Sequence, residues 1–128
     1  MVERIAFKGK MPGDIPSMSS EEYLSLIKSR QRRWIKRNSL QYRTLIKKVE
    51  ERRAKSKPVR TQTREAVILP SWIGMTFEVY SGKEYQKLLI EPQMLGHRLG
   101  EFVYTTKRVQ HSAPGIKATR GSKFLSQK

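Results

Sequence analysis

Fifteen lysines and arginines stand between residues 28 and 64, against two acidic residues, Glu50 and Glu51. Ammonium and guanidinium groups at this density suit one kind of chemistry, the binding of a polyanion, because each phosphate they neutralise also releases condensed counterions. A solvated helix surface normally mixes both signs, whereas this stretch carries a net +13. The candidates are Arg30, Arg32, Arg33, Lys36 and Arg37, then Lys47, Lys48, Arg52 and Arg53, with Arg60 and Arg64 anchoring the entry to the next segment. A second cationic set is Lys107, Arg108, Lys117, Arg120 and Lys123, within a stretch (102–128) that has no acidic residue. There the guanidinium of Arg108 or Arg120 can grip a phosphate in bidentate fashion.

Other chemistries find little to work with. The chain has no cysteine, which removes disulfides, thiolate zinc sites, iron–sulfur clusters and thiol catalysis. Its two histidines, His97 and His111, have no further ligands at metal spacing, and His97 stands four residues before Glu101, where the two can pair. No nucleophile, base and orienting group come together, so neither enzymatic activity nor a cofactor is expected.

The elements that carry these residues follow from periodicity. Pro12, Gly13 and Pro16 argue for an extended loop. Ser19 with Glu22 three residues later reads as a capping box, and the spacing of Leu24, Ile27, Gln31, Trp34 and Ile35 predicts one helix to about Arg37. Asn38-Ser39 marks a break and a new N-cap. Tyr42, Leu45, Ile46 and Val49 then form the apolar seam of a second helix, closed before Pro58. Trp34 and Tyr42 could stack on bases, but their seam positions favour packing in the core.

A small α+β core is expected next. Ala66-Val67-Ile68-Leu69 reads as a short buried strand stopped by Pro70, and Thr76 to Tyr80 alternates with Phe77 and Val79 on one face. Ser81-Gly82 makes a tight turn, and residues 84–90 return as the partner strand. Pro92 opens a short helix on which Leu95 and Leu99 stack, ended by Gly100. The organisation expected is an extended arm (1–18), a basic helical hairpin (19–57), a core with a small three-stranded, mainly antiparallel sheet and a short packed helix (58–102), and an extended basic tail (103–128).

The whole chain of 128 residues carries a net +16. Compacting it sets like charges against each other, and close anionic neighbours relieve this. Residues 1–10 have no apolar core segment, so no secretory signal is expected, and the longest aliphatic run is too short for a bilayer. A soluble, intracellular protein follows. A membrane-surface helix would present a broad apolar face, and a reader of duplex DNA would need a major-groove helix or a symmetric dimer. Neither is apparent, so neither membrane nor DNA is an expected partner.

The core residues carry a resemblance. Ser81-Gly82-Lys83, then Ile90, Leu95-Gly96, Leu99-Gly100-Glu101-Phe102 and Thr105 look like the signature of the small-subunit ribosomal protein nineteen family, and Ile68-Leu69-Pro70 with Ile73-Gly74 also fits it. Ser29 to Arg33, the Pro114 to Thr119 segment and the long N-terminal extension are similar to its archaeal and eukaryotic branch. The resemblance covers nearly the whole chain, and its one departure is Ser81-Gly82, where the family often has Asn-Gly. It implies a structural, cytoplasmic protein in the head of the small ribosomal subunit, on the 3′ major domain of the small-subunit rRNA. It further implies pairing with small-subunit protein thirteen, and a tail that reaches toward the decoding region and A-site tRNA. Glu78, Glu84 and Glu91 are candidates to face that protein neighbour.

Overall fold

The computed structural model describes residues 7–107. Helix α1 (Ser20–Leu26) opens as its capping box requires, with the Ser19 hydroxyl accepting the Glu22 backbone N–H at 3.3 Å. The loop before it is partly ordered into a 3-10 turn, Ile15–Ser17, started by Pro16 and holding Ile15 fully buried.

The single helix predicted to Arg37 is two helices. Ile27 and Lys28 are extended, with ψ of 161° and 150°, and a second helix, α2 (Ser29–Arg37), starts beyond them. Ile27 is thereby buried in the core. The carbonyls released by the break find a donor in Arg32, whose Nε reaches Leu24 O at 2.8 Å and whose Nη2 reaches Ile27 O at 3.1 Å. Such end-of-helix carbonyls otherwise go unpaired.

The break at Asn38 is present, and helix α3 (Ser39–Ala54) follows it. The Asn38 side chain does not cap α3, however. Its backbone N–H and its Nδ2 both donate backward to Trp34 O, at 2.9 and 3.3 Å, so it closes α2 instead. Along α3, Tyr42, Leu45 and Val49 are buried and Ile46 is half-buried, which is the seam the periodicity gives.

The sheet has three strands in the order β1 (Val59–Thr61), β2 (Thr76–Tyr80), β3 (Tyr85–Leu89). β2 and β3 form the antiparallel hairpin, with Phe77 opposite Leu88, and β1 runs parallel to β2, with Val59 opposite Phe77. The turn between β2 and β3 uses Gly82 at φ +100°, and the Ser81 N–H and hydroxyl both donate to Glu84 O at 2.9 Å.

The third strand was expected at Ala66–Leu69, and that segment lies outside the sheet. Ala66, Val67 and Ile68 are completely buried. Their backbone partners are a short bridge to residues 97–99 and two tyrosines. Ile68 N donates to His97 O and Leu99 N to Ala66 O, each at 3.0 Å. Tyr23 Oη donates to Ile68 O at 2.5 Å, and Tyr42 Oη to Val67 O at 2.9 Å. Buried carbonyls need such donors, and here α1 and α3 supply them.

The helix expected from Pro92 to Leu99 is two 3-10 turns, Pro92–Met94 and Leu99–Glu101. Gly96 at φ +78° separates them, and its N–H donates to Tyr23 Oη at 3.1 Å. An aromatic series joins the layers. Trp34 meets Tyr42 edge-on at 5.4 Å, Tyr42 meets Trp72 at 6.1 Å, and Trp72 meets Phe77 at 5.1 Å. Such pairs add to burial, and they tie α2 and α3 to the sheet.

Candidate nucleic-acid interface

Because α2 and α3 bury one face each, their remaining faces carry the basic residues outward. Arg30, Arg33, Lys36, Arg37, Lys47, Lys48 and Arg53 are exposed, and Arg52 is half-buried. Arg60 is exposed on β1, where its Nε donates to Glu78 Oε2 at 2.9 Å and its guanidinium lies 4.8 Å from the centre of the Tyr85 ring. Lys48 Nζ donates to Arg60 O at 2.5 Å, which fixes β1 against α3.

Two candidates are engaged inside the protein. Arg32 closes the end of α1, as described. Arg64 donates to Tyr80 O at 2.7 Å, to Gly100 O at 3.0 Å and to Val103 O. It thereby anchors the entry to the core, joining the end of β2 to the turn after Leu99. Of the tail set, Lys107 is exposed, while Arg108, Lys117, Arg120 and Lys123 lie outside the described residues, as does His111.

The fold brings three candidates together with a residue that sequence reasoning missed. Arg30, Arg33 and Arg37 line a depression of about 360 Å³ along α2, with Ser29, Trp34 and Asn38, and Arg98 closes it from the core. Arg98 is one of three cations among five acidic residues in segment 65–101, so no charge run marks it. A second basic depression, of about 490 Å³, is lined by Arg53, Lys57 and Lys87 beside Pro58 and Gly74. Its Lys57 and Lys87 lie outside the candidate set.

The aromatic residues Trp34 and Tyr42 belong to the core, at 8% and 5% exposure. Burial pushes the Tyr42 hydroxyl well above the ordinary tyrosine range. It pushes the Tyr23 hydroxyl up to about 12, opposed by the hydrogen bond from Gly96. Both remain neutral donors at physiological pH. His97 does pair with Glu101, Nδ1 to Oε2 at 2.6 Å, although the two residues do not share an α-helix. Glu78 is held by Arg60, whereas Glu84 and Glu91 are exposed.

Among the described residues, no three of His, Cys, Asp and Glu cluster as a metal site, and no helix is long and apolar enough to cross a membrane. An apolar groove of about 330 Å³ between α1, α3 and Leu69–Ser71 is lined by Tyr23, Leu24, Ile35, Tyr42 and Ile46. Four serines line it too, but no histidine or carboxylate, so it offers no base to activate them.

The model of the family described as ribosomal protein S19 matches residues 33–111. Relatives cover more. The chain is 42% identical to the small ribosomal subunit protein uS19 of Saccharolobus solfataricus, over 95% of this chain and 90% of that one. It is 40% identical to the protein of the same name in Thermoplasma acidophilum, over 98% and 82% of the two chains. For that of Metallosphaera sedula the figures are 37%, 98% and 93%. These matches take in the basic helices as well as the core, and the chain belongs to the ribosomal protein S19 family, whose members are structural and not enzymes.

Proposed function

We propose that the chain is a structural constituent of the small ribosomal subunit, bound to the 3′ major domain of the small-subunit rRNA in the subunit head. The observation that carries this is the distribution of charge on the fold. The apolar faces of α2 and α3 are buried, and the outward faces bear seven exposed arginines and lysines from the candidate set against the exposed Glu50 and Glu51. The names borne by the relatives agree with it.

The mechanism has no chemical step. The core docks by shape, the cations neutralise phosphates, and the folded RNA gains stability because the protein binds it in preference to unfolded RNA. Phosphate contacts fix position but read no sequence. The exposed Glu84 and Glu91 face a basic protein neighbour, for which protein thirteen of the small subunit is the proposed partner. The cationic set that begins at Lys107 is proposed to meet the decoding region and A-site tRNA.

Binding to a transcript of the small-subunit rRNA 3′ domain, measured over a salt series beside duplex DNA of equal length, tests the reading. About eight neutralised phosphates give a slope of log affinity against log salt of roughly −6 to −7. A flat response, or equal affinity for the DNA, overturns the rRNA reading and favours a non-ribosomal nucleic-acid-binding protein.

A further inference from the structure

We propose that the depression between α2 and Arg98 is a built site for successive phosphates of one RNA strand, and that it joins the basic helix to the core through the RNA. The inference rests on the rRNA-binding reading and adds the place and mode of the grip. Four guanidinium groups, from Arg30, Arg33, Arg37 and Arg98, line this depression, and none of its lining residues is acidic. Among the described residues, none of the four takes part in an ion pair. Four like charges around one hollow repel one another, and an anion seated between them removes that cost.

Arg98 provides an independent observation. Its Nε is buried and has no hydrogen-bond partner. Buried donors in folded proteins are nearly always paired, so the protein's own acceptors leave this guanidinium unsatisfied. The backbone around it is fixed. Val67 pairs with Arg98 in an isolated bridge, and the flanking His97 O and Leu99 N bond to Ile68 and Ala66. The guanidinium therefore projects from a rigid base, which suits a preorganised contact.

The other wall is equally ordered. Arg30, Arg33 and Arg37 follow each other at helical spacing on α2, so they span about 10 Å along its axis. Successive phosphates of one strand lie farther apart along the backbone than the ~3.4 Å rise per nucleotide of a duplex axis, so about two fall within that length. The first turn of α2 has no acidic residue and no side-chain cap, so its free N–H groups add positive potential at the Ser29 end. Trp34 contributes only a wall, since its indole is buried and its Nε1 donates to Glu65 Oε2 at 3.4 Å. With no aromatic face offered, the groove holds backbone and not bases.

The test uses the full chain and the 3′-domain transcript. Arg33→Gln with Arg98→Gln is compared with Lys83→Gln with Gln86→Glu, which lowers the charge by the same two units at exposed hairpin positions outside both depressions. The groove pair is expected to weaken binding on the order of 100-fold, roughly tenfold per charge-assisted contact. It should also flatten the salt slope by about 1.4 to 1.8. The hairpin pair should change affinity by less than about threefold, as distant surface charges do. Arg33→Lys with Arg98→Lys keeps the charge but loses the planar fork, so it restores the slope and only part of the affinity. Arg33 and Arg37 are exposed, so Arg33→Gln with Arg37→Gln leaves the fold intact and must show a comparable loss. If both groove variants behave like the hairpin pair while the wild type still prefers the transcript, the groove is refuted and rRNA binding stands. A wild type with no preference for the transcript removes both. Displacement of the transcript by polyglutamate at equal charge concentration also overturns the proposal, because the hollow would then suit an acidic protein segment.

Discussion

Arg64 and Gly100 hold each other by reciprocal hydrogen bonds: the Gly100 N–H donates to Arg64 O at 2.8 Å, and Arg64 Nη2 donates back to Gly100 O at 3.0 Å. The approach is so close that a Cβ on residue 100 would lie 3.0 Å from both Arg64 Cβ and Arg64 O. Gly100→Ala should therefore destabilise the fold by about 1–3 kcal/mol, the usual cost of overpacking. Arg64→Met leaves three carbonyls without their donor and should destabilise by at least as much. Urea unfolding midpoints measure both, and an Arg64→Met chain of unchanged stability would return Arg64 to the surface-binding set.

Arg32 makes a parallel case at the break between α1 and α2. Its removal uncovers the carbonyls of Leu24 and Ile27. Arg32→Ala should lower stability by about 1–2 kcal/mol. Its effect on RNA affinity should be smaller than that of Arg33→Ala, one position along the helix and exposed. The reverse order would mean that Arg32 turns outward in the complex.

The two tyrosine hydroxyls give an alkaline limit to stability. In the unfolded chain a tyrosine ionises near 10, whereas in the fold Tyr23 is held up to about 12 and Tyr42 higher still, both chiefly by burial. The unfolded state thus loses its protons first, and stability falls as pH rises above about 10. The contribution is fully present below that pH. Tyr23→Phe and Tyr42→Phe should each flatten the alkaline decline while lowering stability at neutral pH by about 1–3 kcal/mol, since Ile68 O or Val67 O loses its donor. Thermal unfolding from pH 8 to 11 follows both effects.

Glu84 and Glu91 are exposed, and Glu78 is already paired with Arg60. Reversal to Glu84→Lys with Glu91→Lys should weaken the proposed association with protein thirteen at least tenfold, as like charges across an interface do, with rRNA affinity kept or raised. Unchanged pairing in a pull-down between the purified proteins removes these two residues from the interface.

Some of this architecture is legible in the sequence for clear physical reasons. The seam of α3 and the alternation in β2 are local patterns, and each is met by burial of the residues it marks. The Ser19–Glu22 cap and the Ser81-Gly82 turn are local as well. The break at Ile27 is not legible, because the apolar spacing from Leu24 to Trp34 suits one continuous helix equally well. Its cause lies in the burial of Ile27 and the return of Arg32. Ala66 to Leu69 has the composition of a strand, yet its carbonyls are claimed by tyrosines 25 and 45 residues away. In the same way, the charge run located α2 as a cationic surface, while Arg98 joins it only through the tertiary fold.

The most direct measurement is sucrose-gradient fractionation of a lysate, at low, moderate and high salt, probing for this chain. A phosphate-gripping subunit protein comigrates with the small subunit at moderate salt and is stripped as salt rises. A chain that stays at the top of the gradient even in low salt would contradict a place in the small subunit.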